Sequence, residues 1–231
     1  MTPTPPLAAF VRENFRALVL NDHFTCIGAK SAVRRNADRF GLYEELADPS
    51  SIERLAGDLR SFASEGEAAG AFTTFVASFV EPAAITEQAF EARLWQTLQA
   101  LHDLDGGAHE WDGSVSADPA DPHFAFSFAG TAFFIVGLHA ASSRATRRFA
   151  WPTLVFNPHR QFEELRQSGR YRRFQRVIRD GETALQGGIN PMLAEFGERS
   201  EASQYSGRRV EPGWQCPFHA ARAGQPPEEP E

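Results

Sequence analysis

The sequence predicts an α+β fold: a single domain with a central, largely antiparallel sheet packed with helices. Composition is the first reason, because 42% hydrophobic and 23% charged residues in a chain of 231 are typical of a globular domain. The second is that strand-like runs at 124–128 and 131–138 follow each other directly, which favours antiparallel pairing. The third is the set of helical patterns around them. The domain is expected to span residues 7–221, with disordered proline-rich tails at 1–6 and 222–231.

Five elements are predicted in the first half of the chain. The helices carry apolar side chains three or four positions apart, and the second of them starts at a capping box of Ser50 and Glu53. In chain order the elements are a helix at 7–20, a strand at 24–32, a helix with Ile52, Leu55, Leu59 and Phe62 on its apolar face, a strand at 71–80, and a helix that starts at Thr86.

The second half of the chain begins with a long loop at 105–122, which contains two glycines in succession and two Asp-Pro turns. Three strands and two helices follow. Asn157 is expected to cap the first of these helices, with Pro158 at its first position. In order, the predicted elements are strands at 124–128, 131–138 and 152–156, a helix through 161–165 and an arginine-rich helix at 171–185, after which the chain is mostly loop.

Charge and hydropathy argue against two classes of partner. A net charge of −7 disfavours nucleic acid as a partner of the whole molecule. The longest apolar runs, such as 130–138, fall far short of the roughly 20 residues that span a bilayer. The N-terminus has neither a basic segment nor the apolar core of a signal peptide, so we expect a soluble, cytoplasmic protein. Cys26 and Cys216 are too few for a disulfide framework.

Several common sites are missing from the sequence. It contains no glycine pattern of a nucleotide-binding loop and no Gly-x-Ser-x-Gly nucleophile elbow. Glu-x-x-His and His-x-Asp/Glu pairs are absent, which argues against the usual non-heme iron sites. Without a Cys-x-x-Cys pair there is no zinc ribbon, no thioredoxin-type site and no covalent attachment of heme in the c-type manner.

The segment from Trp214 to His219 contains a Cys-Pro dipeptide at Cys216. A thiolate is a strong ligand for heme iron and favours cleavage of the O–O bond, and a proline stiffens the loop after the ligand. A buried structural cysteine before a turn would leave the same pattern. A zinc half-site formed by Cys216 and His219 is also open, but it needs two more ligands, such as Cys26.

A second group of candidates follows the strand at 131–138. His139 ends this strand, where it is a candidate ligand or general base, or a structural histidine with its hydrogen bonds satisfied. Arg144, Arg147 and Arg148 come next, and guanidinium groups pair with carboxylates or phosphates. A solvated basic turn is the alternative interpretation of the three arginines.

Two other residues are singled out by their position or their rarity. His159 is expected in the first turn of a helix, where the positive end of the helix dipole favours a neutral imidazole. Lys30 is the only lysine of the chain, which indicates either a catalytic residue or simply a high-GC genome.

Taken together, several strings resemble the YqcI/YcgG family. The resemblance is collinear from about residue 23 to 219 and strongest after residue 130. The strings are Phe24-x-Cys26-x-x-Ala29-Lys30, Phe133 to His139, Ser143-Arg144, Phe156-Asn157-Pro158-His159-x-Gln161-Phe162, Asn190-Pro191-Met192-Leu193, Ser200-Glu201, Gln204 to Arg208, and Trp214-x-Cys216-Pro217-Phe218.

This resemblance implies a heme-dependent N-oxygenase, an enzyme that hydroxylates a guanidine or amine nitrogen of arginine or a related amino acid. The cofactor would be heme b, and activation of dioxygen or peroxide would occur at its iron. Among the residues of the matched strings we assign Cys216 as the axial ligand, with His139 and Cys26 as alternatives. The electron donor, the oligomeric state (a homodimer is one option) and the role of Lys30 are left open.

The remaining roles are assigned from side-chain chemistry. The predicted roles are Arg144 and Arg148 for the heme propionates, Trp214 for the heme edge, Glu201 with Glu81 for the substrate cation, and Tyr205 and His159 as polar groups of the catalytic pocket. Two other functions remain alternatives. One is a non-catalytic heme sensor with a Cys-Pro ligand, and the other is a structural zinc protein that uses Cys26, Cys216 and His219.

Overall fold

A five-stranded mixed sheet forms the centre of the computed structural model, which describes residues 5–65, 72–194 and 196–220. The strands are β1 (Asp38–Glu45), β2 (Thr74–Glu81), β3 (Phe126–Phe128), β4 (Thr131–Leu138) and β5 (Thr153–Pro158). Their order in the sheet is β1-β2-β5-β4-β3. The β1–β2 pair is parallel, and the other three pairs are antiparallel. The predicted α+β class with a largely antiparallel sheet is therefore confirmed.

Helices cover both faces of the sheet. They are α1 (Pro5–Leu20), α2 (Ile27–Arg34), α3 (Pro49–Ser64), α4 (Glu87–Asp105), α5 (Arg160–Gln167), α6 (Tyr171–Gln186) and α7 (Ala202–Tyr205), with a 3-10 turn at Ala145–Arg147. Helices α3 and α4 pack together on one face, whereas α1, α2 and α6 contact one another in series on the other. None of the described helices is long and apolar enough to cross a bilayer.

Strand alternation divides the apolar side chains between two cores. In β2, Phe75 and Phe79 join the larger core beneath α3 and α4, while Val76 between them joins the smaller core beneath α1. In β5, Phe156 joins the larger core and Val155 joins the smaller one. Successive residues of a strand point to opposite faces, so a strand covered on both faces is apolar throughout.

The predicted strand at 24–32 is wrong, because this segment forms the end of a loop and then helix α2. The helix begins after Cys26, whose Sγ accepts a hydrogen bond from the backbone N of Ala29 at 3.5 Å. Serine, threonine, asparagine and aspartate are the usual caps, so a cysteine cap gave no recognisable signal in the sequence. Strand β1 was not predicted, because its buried first residue, Asp38, is charged and pairs with Arg12 and Arg16.

Two predicted helix caps are also wrong. Helix α3 is capped by Asp48, which accepts from the N of Ser51, and not by Ser50. Asn157 is part of β5, where its Nδ2 donates to the carbonyl of Phe134, so α5 begins only at Arg160. Thr86 does mark the start of α4, as predicted, and its side chain caps the helix by accepting a hydrogen bond from the N of Ala89.

The predicted ends of the domain can be compared only in part. Helix α1 begins at Pro5, two residues inside the segment predicted as a disordered tail. Residues 1–4 and 222–231 of the predicted tails, and residue 71 of the predicted strand at 71–80, lie outside the described residues.

Candidate functional site

A cavity of about 240 Å³ lies between the sheet and helix α6, and we call it the α6 cavity. Its floor is the second face of β4 and β5, which presents Phe134, Val136 and Val155. Helix α6 contributes a stripe of side chains spaced three or four apart, including Phe174, Ile178 and Glu182. Since no residue of α6 is fully buried, its apolar side faces this cavity instead of a filled core.

Glu201 is a buried carboxylate in the wall of the α6 cavity. Its Oε1 lies 3.3 Å from Nε2 of His159, whereas its Oε2 is buried and has no hydrogen-bond partner within the described part of the chain. Burial raises the pKa of Glu201 above that of an ordinary glutamate. An unpartnered buried acceptor is costly, and a ligand that donates an N–H would relieve that cost.

His159 holds Glu201 in place from behind the cavity wall. It follows β5, and its backbone N donates to the carbonyl of Ala132 at 2.8 Å. Its ring lies against Phe196, with 4.6 Å between the ring centroids. His159 is buried and contacts Glu201 without lining the cavity itself, which makes it a positioning residue for the carboxylate.

Arg144, Arg147 and Glu182 also line the cavity. Arg144 forms an ion pair with Glu182 at 2.7 Å. Arg147 donates from Nη1 to the carbonyl of Tyr205 at 2.9 Å and to that of Gly137 at 3.4 Å. Burial lowers the pKa of Arg147 to about 10, so the guanidinium stays charged at neutral pH.

Gly207 makes room for Arg147. Its φ of +81° is in the left-handed region, and an added Cβ would lie 2.6 Å from Cδ of Arg147. We expect Gly207→Ala to lower the free energy of unfolding by about 1–3 kcal/mol, through backbone strain and displacement of Arg147. Thermal unfolding measures this change. Gly57→Ala is the matched control, because this exposed site in α3 leaves open space around the new Cβ and alanine favours a helix. Equal effects of the two substitutions would contradict the steric argument.

A second, larger depression of about 1210 Å³ lies beside the C-terminal segment, and we call it the C-terminal groove. Cys216 and Trp214 line it, together with two arginines, Arg199 and Arg209. Partial burial raises the pKa of the Cys216 thiol to about 12, so the thiol is protonated unless a metal ion displaces the proton.

One short segment, residues 200–204, forms a wall between the α6 cavity and the C-terminal groove. Ser200 and Ser203 line the groove, while Glu201 and Gln204 line the cavity. Tyr205 ends this wall and is fully buried, with its hydroxyl accepting from the N of Phe126 at 3.1 Å. Burial raises the pKa of Tyr205 well above its ordinary value, so the hydroxyl stays neutral.

Comparison with known proteins identifies the family. The model of the YqcI/YcgG family matches residues 15–219. The chain belongs to the YqcI/YcgG family. It is also 25% identical, over 205 residues, to the protein described as uncharacterized protein YqcI from Bacillus subtilis (strain 168), and the match covers 84% of this chain and 80% of that protein. No solved structure matches the chain.

The residues predicted for the site of this YqcI/YcgG protein fall into three groups. Cys216 and Trp214 line the C-terminal groove, and Glu201, Arg144 and Cys26 line the α6 cavity. The others line neither. Tyr205 and His159 lie behind the wall, and His139 and Arg148 follow β4. Glu81 is exposed and accepts a hydrogen bond from the backbone N of Ala83.

His139 and Arg148 are engaged elsewhere. The His139 ring stacks on Phe90 at 4.5 Å, and its Nδ1 is buried without a partner among the described residues. Arg148 is exposed, and its Nε donates to the carbonyl of Ser142 at 2.7 Å. Lys30 donates to the carbonyl of Asp22 at 3.3 Å and lines neither of the two sites.

One residue of the α6 cavity, Glu182, was not singled out in the sequence. A signal for it exists, because Glu182 lies on the stripe of α6 that also holds Phe174 and Ile178, where an apolar residue is usual.

The side chains that commonly bind metal ions do not form a cluster in the described part of the chain. Across residues 5–65, 72–194 and 196–220, no group of three or more His, Cys, Asp or Glu side chains could hold a metal ion.

Proposed function

We propose that the protein is a heme-dependent oxygenase that hydroxylates a guanidine or amine nitrogen of arginine or a related amino acid. The substrate would occupy the α6 cavity, and the heme the C-terminal groove. The observation that supports placing the substrate in the α6 cavity concerns Glu201. Its Oε2 is buried in the cavity wall and has no hydrogen-bond partner among the described residues.

The α6 cavity suits a long cationic side chain. A guanidinium presents a planar fork of N–H donors, which a carboxylate accepts with strong, charge-assisted hydrogen bonds. Phe134, Val136 and Ile178 provide apolar surface for the methylene groups between the two ends of such a substrate. The volume of about 240 Å³ limits the occupant to a small molecule.

The C-terminal groove suits the heme better than the α6 cavity does. Cofactor sites commonly measure about 300–1,000 Å³, which the groove exceeds and the cavity does not reach. Cys216 would supply the axial thiolate, Trp214 would pack against the porphyrin, and Arg199 and Arg209 would bind the propionates in place of the predicted Arg144 and Arg148. Bound in this way, heme supplies activation of dioxygen or peroxide and transfer of one oxygen atom.

Oxygen transfer requires that the reacting nitrogen reach the iron. Glu201 would hold that nitrogen at the wall of residues 200–204, and the groove begins on the other side of the same segment. This segment must therefore move aside when both ligands are bound, and Glu201 would present the substrate nitrogen towards the groove as it does so.

Absorption spectroscopy of the full chain loaded with heme tests the cofactor. We expect a Soret band distinct from that of free heme, shifted further by carbon monoxide. Cys216→Ala should abolish the thiolate-dependent shift, because it removes the proposed ligand, whereas His139→Ala and Cys26→Ala should retain it. A spectrum of free heme would contradict the proposal, and loss of the shift in His139→Ala alone would move the ligand to that residue.

Turnover is measured with hydrogen peroxide, which supplies both the oxygen atom and the oxidising equivalents. The N–H group becomes N–OH, and the peroxide leaves as water. Hydroxylated arginine detected by mass spectrometry supports the oxygenase. Heme binding without any product from arginine analogues would contradict it in favour of the sensor, and stoichiometric zinc without heme would favour the structural zinc protein. The cytoplasmic location stays a prediction.

A further inference from the structure

We propose that Arg147 is the residue that recognises a carboxylate in the α6 cavity, so that the cavity selects ligands with a carboxylate at one end and a cationic N–H group at the other. This inference rests on the proposed function for the cationic end, which Glu201 would bind. The recognition of the carboxylate end by Arg147 is supported by three separate observations.

The first observation is that Arg147 retains unused donors at the cavity wall. It lines the cavity, and its Nη1 donates hydrogen bonds to the carbonyls of Tyr205 and Gly137. Within the described part of the chain, Nε and Nη2 have no hydrogen-bond partner, and the guanidinium has no ion pair. A buried guanidinium without a carboxylate partner attracts an anion of matching geometry.

The second observation is that the three other arginines of the cavity, Arg144, Arg166 and Arg179, are already engaged. Arg144 pairs with Glu182 at 2.7 Å and also donates to the carbonyl of Gly188 at 3.3 Å. Arg166 pairs with Glu163, and its guanidinium lies over the rings of Tyr171 and Phe196. A ligand carboxylate would have to share Arg144 or Arg166 with a carboxylate that already pairs with it, whereas Arg147 has no such partner among the described residues.

The third observation is that the guanidinium is fixed before any ligand arrives. The carbonyl of Tyr205 holds one side of it at 2.9 Å, and Gly207 leaves space for its Cδ. A preorganised donor loses little side-chain entropy on binding, so its hydrogen bonds contribute more fully to affinity.

The two charged groups have different charged neighbours in the cavity wall. The charges that act on Glu201 come from His159, Arg166 and Glu163, whereas those that act on Arg147 come from Glu182, Arg144 and Cys26. A ligand that satisfies both must therefore be extended, with its two charges separated by an apolar chain. An amino acid with a long cationic side chain has this form, whereas the corresponding decarboxylated amine lacks one end.

Calorimetric titration of the full chain, with and without heme, tests this assignment with arginine and agmatine as probes. Agmatine retains the guanidinium and the methylene chain but lacks the carboxylate. We expect wild-type protein to bind arginine about 10- to 100-fold more tightly than agmatine, since hydrogen bonds to a charged group account for a difference of that size. Arg147→Gln should reduce arginine affinity by a similar factor and leave agmatine affinity unchanged.

Arg147→Gln is chosen because its amide can still donate to the carbonyl of Tyr205, and Arg147→Lys provides a second variant that keeps the charge. Arg173→Gln, at an exposed position of α6 outside the cavity, is the matched control and should leave both affinities unchanged. Arg147→Lys should retain only part of the preference for arginine over agmatine, because an ammonium cannot pair with a carboxylate in the bidentate way. Thermal unfolding identifies any variant that does not fold, and the remaining variant is then compared with its own expected result.

Three results would overturn the assignment. The first is equal affinity of the wild-type protein for arginine and agmatine, and the second is an unchanged ratio in both Arg147 variants. Failure of both probes to bind wild-type protein would likewise reject it, together with the substrate half of the proposed function. Because binding is also measured without heme, each of these results is independent of whether the protein binds heme or turns over.

Discussion

Replacing Glu91 with alanine should lower the free energy of unfolding by about 3–5 kcal/mol, because Glu91 is the buried one of the two carboxylates that pair with Arg208, the other being the exposed Glu211. Glu91 is a buried residue of α4, and Arg208 donates to it from two nitrogens, Nε at 3.2 Å and Nη2 at 2.8 Å. Both partners are almost fully enclosed, so water cannot replace the lost carboxylate.

The Glu91 carboxylate also accepts hydrogen bonds from two other groups of the C-terminal segment. The hydroxyl of Ser206 donates to Oε2 at 2.8 Å, and the indole Nε1 of Trp214 donates to Oε1 at 3.2 Å. Loss of Glu91 therefore removes the acceptor of Ser206 and of Trp214 and the buried partner of Arg208, and it frees the stretch of chain that carries the Cys216 thiol. We expect the loss of stability to be accompanied by loss of heme affinity.

Urea denaturation followed by circular dichroism measures the change in stability. Glu53→Ala is the control, because this glutamate is exposed on α3 and its loss should change stability by no more than about 0.5 kcal/mol. A double-mutant cycle with Arg208→Met isolates the energy of the pair. A loss below about 1 kcal/mol for Glu91→Ala would show that the buried pair does not hold the C-terminal segment in place.

Replacing Glu201 with glutamine should weaken arginine binding by about 30- to 4,000-fold, since loss of one partner of a buried charge pair costs about 2–5 kcal/mol. Glutamine has nearly the same shape, and neutralising a buried carboxylate removes its desolvation cost, so we expect the variant to fold. Arginine and agmatine should lose affinity equally, because both present the guanidinium, whereas substitution of Arg147 should affect arginine alone.

The pH dependence of binding gives an independent measure of Glu201. The cation binds the ionised carboxylate, and burial raises the pKa of that group. Affinity should therefore decline as the pH falls through a pKa above that of an ordinary glutamate, and Glu201→Gln should abolish this dependence. Calorimetric titrations from acid to neutral pH test it, with Glu13→Gln on the exposed side of α1 as control. A pH dependence that persists in Glu201→Gln would assign it to another group.

The elements that the sequence predicted well are those in which one pattern continues without interruption. Strand β4 is apolar over its whole length because both of its faces are covered, and α6 keeps a helical period through 16 residues. Helix α2 has only 8 residues and a thiol as its cap, and β1 begins and ends with charged residues. Helix α2 is thus too short and too unusually capped to stand out in the sequence. Strand β1 contradicts local preference at its ends, and tertiary contacts such as Asp38 with Arg16 decide its structure.

The candidate site could be predicted as a set of residues but not as an arrangement. Glu201 and Cys216 came from strings in the sequence, and both face a cavity or groove. The separation of Glu201 from Cys216 depends on α7 and on the pairing of Arg208 with Glu91. Arg208 and Glu91 are 117 positions apart in the sequence. No local pattern carries such information, so residues expected around a single pocket turned out to be divided between two.

The wall of residues 200–204 has a thermodynamic consequence. Ser200 and Ser203 line the groove and Glu201 and Gln204 line the cavity, and Arg147 donates to the carbonyl of Tyr205 next to this segment. If occupancy of the groove shifts this segment and changes affinity in the cavity by some factor, occupancy of the cavity must change affinity in the groove by that same factor. Cofactor and substrate would then report on each other's presence in any equilibrium measurement, before any chemical step takes place.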